Sequence, residues 1–204
     1  MKEFFLTYPY VLPVIAYLAG SIPFGLVFSR FKGIDPRSYG SGNIGATNIA
    51  RGLGKGWGVA TLIFDMLKGL IPAYLALKMG LPSFYIALTG LAAVVGHCYS
   101  VFLKFSGGKG VATALGVFLA LCPEAVGVAV LIFVAAVFYT KYVSVGSLAA
   151  AASMPILIFL FRPDSFIETM AWTVCFIIWI RHKDNIARLI KGEEKKISFG
   201  SQGT

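Results

Sequence analysis

Long apolar runs separated by short polar segments set the architecture of this chain. The apolar stretches extend from Tyr8 to Phe31, Gly56 to Met79, Pro82 to Phe102, Val111 to Leu121, Ala125 to Thr140, Val143 to Phe161 and Ser165 to Ile180. A helix crossing the hydrocarbon core needs roughly 17 to 25 mostly apolar residues. The pattern therefore predicts an all-α integral membrane protein with seven transmembrane helices, the fourth and fifth short. The count turns on the stretch from Val111 to Thr140, which Cys122-Pro123-Glu124 interrupts. A charge beside a proline predicts a hairpin turn there rather than a kink in one long helix. The first run continues past twenty residues without an early basic flank or an Ala-x-Ala cleavage site, so it is read as a retained span.

Composition agrees with the pattern and excludes a soluble domain: 57% of residues are hydrophobic and only 13% charged, with a mean hydropathy of +0.79. Charge then orients the spans, because cytoplasmic ends are rich in Lys and Arg. With seven spans, Arg30, Lys32, Arg37, Arg51, Lys55, Lys104, Lys109, Lys141 and the basic C-terminal segment hold fourteen of the eighteen cations on one side. The N-terminus is therefore expected outside and the C-terminus in the cytoplasm. Merging the fourth and fifth spans would put Lys141 and the basic tail on opposite faces, a second reason to separate them. The net charge of +9 is explained by a membrane surface, so no nucleic-acid partner is expected. Cys98, Cys122 and Cys175 lack metal or redox spacing and read as small apolar side chains. No repeat or linker divides the chain; residues 1–204 read as one domain, with those after about 197, ending Gly200-Ser201-Gln202-Gly203-Thr204, as a dispensable tail.

Every dense polar cluster falls on the predicted cytoplasmic side. In Ser41-Gly-Asn-Ile-Gly-Ala-Thr-Asn-Ile-Ala-Arg51, glycines let the backbone turn tightly. Ser41, Asn43, Thr47 and Asn48 supply hydrogen-bonding side chains, and Arg51 a planar cation suited to phosphate. In Phe105-Ser-Gly-Gly-Lys-Gly110, Lys109 is flanked by Gly107, Gly108 and Gly110 directly before an apolar helix. Backbone donors, a helix N-terminus and an ammonium are thus expected to converge on an anion. It is not a nucleotide-hydrolysing P-loop, since Leu103 and Gly110 stand where that motif needs glycine and Ser or Thr. Lys104 serves equally as a phosphate contact or an interfacial anchor. Ser144 and Ser147 add hydroxyls from the short fifth loop. His97 and His182, the only histidines, lie near the cytoplasmic ends of apolar helices; either can act as a general base, a phosphate donor or a structural residue. His182 shares its helical neighbourhood with Arg181, Asn185 and Arg188. Glu193 and Glu194 either orient that cluster or are solvated. Asp65 and Lys68, three residues apart within the second span, read as a mutual ion pair.

Three motifs then resemble those of the bacterial integral-membrane acyl-phosphate:glycerol-3-phosphate acyltransferases, the PlsY family. They are Ser41 to Arg51, Gly96-His97 through Phe105-Ser-Gly-Gly-Lys-Gly-Val-Ala-Thr113, and His182-Lys-Asp-Asn-Ile-Ala-Arg-Leu-Ile-Lys-Gly-Glu193. Two positions depart: the family often has proline where Ser100 stands and lysine where Ser106 stands. The resemblance implies acyl transfer from a fatty acyl phosphate to the sn-1 hydroxyl of glycerol 3-phosphate in the bacterial cytoplasmic membrane. The products are lysophosphatidic acid and inorganic phosphate, in the first acylation of phospholipid synthesis. By the same resemblance Ser41, Arg51, His182 and Asn185 carry activity, the loop from Gly107 to Gly110 binds glycerol phosphate and Glu193 is structural. The residues themselves place Lys109 with the catalytic groups, Arg188 among the substrate contacts and His97 as structural.

The mixed anhydride is already activated. The protein has only to place the hydroxyl, neutralise the departing phosphate and stabilise the oxyanion. The proton acceptor is His182, His97 or a phosphate of the substrate itself. An acyltransferase dyad of the His-x4-Asp type is excluded, because Phe102 and Ala187 stand five residues after the two histidines. The sparse carboxylates predict no metal, and no cofactor is expected. Membrane lipid is a partner by location, and a monomer is expected. A transporter of phosphate or a polyol phosphate, the rival class, would need internal repeats and a midplane site.

Overall fold

The computed structural model describes residues 2–197, and the segment read as a dispensable tail lies outside them. Among these residues the chain is all helical. A short α1 (Lys2–Thr7) precedes α2 (Val11–Ser21) and α3 (Phe24–Arg30). Then follow α4 (Ala46–Leu53), α5 (Lys55–Met79), α6 (Ser83–Cys98), α7 (Val111–Leu121), α8 (Pro123–Thr140), α9 (Val143–Phe161), α10 (Ser165–Arg181) and α11 (Lys183–Ile190). Five segments are long and apolar enough to cross a membrane: Val11–Arg30, Lys55–Met79, Ser83–Leu103, Pro123–Thr140 and Val143–Phe161. The shorter Val111–Leu121 is also apolar, and the last expected segment forms α10. α7 and α8 are separate helices meeting at Cys122, whose extended backbone (φ −153°) precedes Pro123 at the first position of α8. Large apolar side chains lie open on the outer faces of α8, α9 and α10, among them Leu131, Phe159 and Phe176, as lipid contact requires.

The first apolar run is two helices rather than one. Pro23 has no N–H to donate, so the backbone opens at Ile22 and Pro23 and the freed carbonyls need other donors. Lys68 Nζ donates to the Ile22 carbonyl at 2.9 Å, and Ser100 Oγ to the Ser21 carbonyl at 2.6 Å. Ser100, one of the two departures from the family pattern, thus closes a gap in the opposite helix. Lys68 Nζ also lies 2.8 Å from Asp65 Oδ1, with both side chains buried, so the two form the expected ion pair.

Helix packing is built on small residues. α2 packs on α6, α5 on α7, α8 on α9, and α10 on both α6 and α9. A methyl at Gly20 would overlap the Ala93 carbonyl, one at Gly69 the Thr113 carbonyl, and one at Gly116 the Met66 carbonyl. In lipid, where apolar burial between helices gains little, such backbone approach is the chief source of association. The core around it joins Ala16, Ala93, Val94, Val117, Ile158, Ile167 and Val174.

Candidate active site

Four polar pieces of the chain meet at one end of the bundle. The first is the loop before α4, folded around Asn48. Its Nδ2 donates to the Pro36 carbonyl at 2.8 Å and the Tyr39 carbonyl at 3.3 Å, while Oδ1 accepts from the Ser41 amide at 2.8 Å. Gly40, with φ of 61°, takes a conformation other residues avoid, and a methyl there would strike Asn48 Oδ1. Asn48, expected as a substrate contact, is therefore consumed in shaping the loop. Asn43 Oδ1 accepts from the Gly45 amide at 2.8 Å. Ser41, Asn43, Thr47 and Arg51 line the cavity, and Arg51 Nη2 reaches the Lys195 carbonyl at 3.3 Å.

The second piece is the glycine loop, and here the expectation is corrected. The Gly107 amide donates to the Cys98 carbonyl at 3.1 Å and the Gly108 amide to the His97 carbonyl at 3.0 Å. These two N–H groups hold the loop on the end of α6 and are not free for an anion. A methyl at Gly108 would overlap His97 Nε2, so the glycine is required by the ring beneath it. What the loop offers the cavity is Lys109 itself and Gly110, which opens α7 with φ of 85°. Lys104 and Phe105 both have left-handed backbone; the Lys104 side chain is exposed and lines neither polar cavity.

The third piece is the turn from α10 into α11. His182 is buried, and its Nδ1 is 2.8 Å from the Ile178 carbonyl. A carbonyl only accepts, so Nδ1 carries the proton and Nε2 keeps its lone pair. Burial, reinforced by the Lys109 charge, holds the His182 pKa at about 4, and the ring is neutral at physiological pH. Asn185 Oδ1 accepts from Lys109 Nζ. Burial lowers the Lys109 pKa to about 8, with Glu194 opposing the shift.

The fourth piece is Glu194, one residue beyond the predicted structural glutamate. Its Oε1 accepts from Asn185 Nδ2 at 2.6 Å and Ser144 Oγ at 2.8 Å, and its Oε2 from Arg188 Nε at 2.8 Å. Burial alone would raise its pKa; the three donors outweigh that and hold it below the usual carboxylate range. Glu193 is exposed. Ser147 Oγ bonds back to the Val143 carbonyl at 3.0 Å. His97 lies under the glycine loop with Nδ1 3.7 Å from Asp65 Oδ1, and neither atom has an aligned hydrogen bond.

Together these pieces enclose a polar cavity of about 180 Å³ whose polar lining includes Ser41, Asn43, Thr47, Asn48, Arg51, Asp65, His97, Lys109, Ser144, Ser147, His182, Asn185 and Glu194. An apolar groove of about 330 Å³ between α7, α8, α9 and α10 shares Leu62, Val111, Ala112, Phe133 and Ser147 with it. On its other side a second polar cavity, about 430 Å³, shares Ser41, Asn43, Lys109 and Asn185 and adds Arg181, Lys183 and Arg188. The geometry suits an amphipathic anion, with its charged end at Lys109 and its chain in the groove, beside a small polar anion.

Comparison with known proteins converges on one family. The family described as glycerol-3-phosphate acyltransferase matches residues 10–192. A glycerol-3-phosphate acyltransferase of Geobacter sulfurreducens is 46% identical over 91% of this chain and 96% of its own length. That of Trichlorobacter lovleyi is 53% identical over 89% and 93%, and that of Aquifex aeolicus 44% over 91% and 97%. A crystal structure of PlsY (YgiH), an integral membrane glycerol 3-phosphate acyltransferase in its glycerol 3-phosphate form, superposes with a TM-score of 0.90. It shares 43% identity over 93% of this chain and 95% of that one. The lysophosphatidic acid form gives a TM-score of 0.87. With the family matched over nearly the whole sequence and the architecture matched alike, the chain belongs to the glycerol-3-phosphate acyltransferase family.

Proposed function

We propose that this acyltransferase takes its acyl group from a fatty acyl phosphate and transfers it to the sn-1 hydroxyl of glycerol 3-phosphate, giving lysophosphatidic acid and inorganic phosphate. The observation that carries this reading is the continuity of the polar cavity with the apolar groove through Val111, Ala112, Phe133 and Ser147. It matches a donor that is phosphate at one end and alkyl chain at the other. The second polar cavity, cationic through Lys183 and Arg188, suits the compact acceptor.

In this reading the hydroxyl oxygen attacks the acyl carbonyl carbon, and the bond from that carbon to the phosphate oxygen breaks. Lys109 and Arg51 take up the charge of the departing phosphate, and Ser41 and Asn43 orient it. Asn185, fixed by Glu194, holds Lys109 in position. The hydroxyl proton passes to a phosphate oxygen or to His182 Nε2, which is free because Nδ1–H is bound to the Ile178 carbonyl. His97 supports the glycine loop from below, its Nε2 against Gly108, and it also lines the polar cavity.

The chain is read as seven spans, with the N-terminus outside and the site at the cytoplasmic face of a bacterial inner membrane, acting as a monomer. The distribution of Lys and Arg supports that orientation. The test is incubation of the lipid-reconstituted protein with acyl phosphate and labelled glycerol 3-phosphate, with EDTA present, against acyl-CoA as donor and against Lys109→Ala. Lysophosphatidic acid formed from acyl phosphate alone and lost in the variant is the expected result. Product from acyl-CoA, or counterflow of glycerol phosphate without product, would overturn the reading.

A further inference from the structure

We propose that Arg181 is a positioning residue for the transfer. Its guanidinium grips the glycine loop by two successive carbonyls and so sets where Lys109 stands. The proposal rests on the reading of Lys109 as the phosphate ligand. Arg181 Nη2 donates to the Gly107 carbonyl at 2.7 Å and Nε to the Gly108 carbonyl at 3.0 Å. The guanidinium carbon lies 5.4 Å from the centre of the Tyr99 ring, so the fork is backed by an aromatic face. Among the described residues Arg181 has no carboxylate partner within ion-pair distance. Its geometry is set by the loop and the ring rather than by a counter-charge.

The same two peptides are held on their other edge. The Gly107 and Gly108 amides donate to the Cys98 and His97 carbonyls. The loop is thereby clamped between the end of α6 and the end of α10, with N–H groups bound on one side and C=O groups on the other. Next along the chain is Lys109, which reaches Asn185 in the first turn of α11, just after Arg181. Arg181 and Asn185 thus fix the loop and its lysine from one short stretch of chain. The fork geometry matters more than the charge. A lysine at 181 would carry one point donor group and could not span two adjacent carbonyls in a plane. The neighbouring sequence offers no substitute, because Gly107 and Gly108 have no side chains to brace the loop themselves.

The test compares Arg181→Lys, Arg181→Met and Tyr99→Leu with Lys109→Ala in lipid, using acyl phosphate and labelled glycerol 3-phosphate. Thermal stability is measured alongside kcat, KM and the pH dependence of kcat/KM. Arg181→Lys and Arg181→Met are both expected to lose at least 10-fold in kcat/KM, with the loss shared by the lysine variant despite its charge. Loosening the loop lets water reach Lys109, so the alkaline limb of kcat/KM moves upward from its wild-type position. Tyr99→Leu, which retains the fork but not its backing, shows the same upward movement to a smaller degree.

Arg181→Lys with wild-type kinetics would overturn the proposal and assign Arg181 a simple charge role. An unmoved alkaline limb with only a lowered melting temperature would overturn it in favour of a structural role. If neither Arg181 variant folds, Tyr99→Leu carries the same pH readout, and its unchanged limb would sink the idea. Lys109→Ala separates the two readings: unchanged activity there refutes Lys109 as the phosphate ligand. An impaired Lys109→Ala beside an unaffected Arg181→Met refutes the positioning role alone.

Discussion

Exchanging Glu194 for glutamine removes one charge from the junction of Ser144, Asn185 and Arg188 while keeping its shape. The carboxylate accepts from all three, two donors on Oε1 and one on Oε2. An amide has only one acceptor oxygen. If it keeps Asn185 and Ser144, its NH2 faces the Nε–H of Arg188, donor against donor. If it turns over, the conflict moves to Asn185, which is buried. The first arrangement costs less, because the Arg188 side chain is 30% exposed and turns partly to water. The loss is then one charge-assisted hydrogen bond, about 2 kcal/mol, or roughly 30-fold in the population of the assembled site. Since Asn185 is the acceptor that holds Lys109, kcat/KM for glycerol 3-phosphate is expected to fall by about that factor, read as labelled lysophosphatidic acid per unit time in lipid. Glu193→Gln, one residue away and exposed, is the internal control and is expected to match wild type. Equal activity of the two variants, or a loss confined to Glu193→Gln, would refute the reasoning.

The ammonium of Lys109 titrates near pH 8 in the free enzyme. Its charge is present below that value, so kcat/KM is expected to fall as pH rises through about 8, as a pH–rate series will read, while neutral His182 adds no acid limb above pH 5. Gly108→Ala drives a methyl into the His97 ring. It is expected to cost about 1–3 kcal/mol in thermal melts and most of the activity, whereas Gly56→Ala, facing open space on α5, leaves both intact. Lys68→Met strands buried Asp65, a loss of about 3–5 kcal/mol by denaturation in detergent; adding Asp65→Leu recovers much of it.

The helices were legible because apolar runs and their breaks are local signals, and the turn at Cys122 and Pro123 is one of them. The grouping of His182 and Asn185 with Lys109 and the first loop was legible too, since all carry polar chemistry on one predicted face. What escaped was pairing across distance. That Gly107 and Gly108 spend their amides on His97 and Cys98 depends on how a loop folds back on a helix end, which no spacing records. Asn48 looks the same in sequence whether it faces a ligand or braces its own loop. Glu193 and Glu194 differ only in which one the turn after Gly192, itself left-handed at φ 72°, aims inward. Arg181 stood in view beside His182, but its partners are backbone carbonyls, which every residue has. The break at Pro23 had a local signal, the proline itself, yet its repair by Lys68 and Ser100 did not.

The glycine contacts between helices bear on how this protein could be redesigned. At Gly20, Gly69 and Gly116 one backbone rests directly on another, so the bundle is held by fit rather than by greasiness. Enriching these faces in leucine, the usual remedy for an unstable soluble core, would pry the helices apart while every hydropathy score improved. A library meant to harden the enzyme would leave these three positions untouched and vary the lipid-facing residues of α8 and α10 instead.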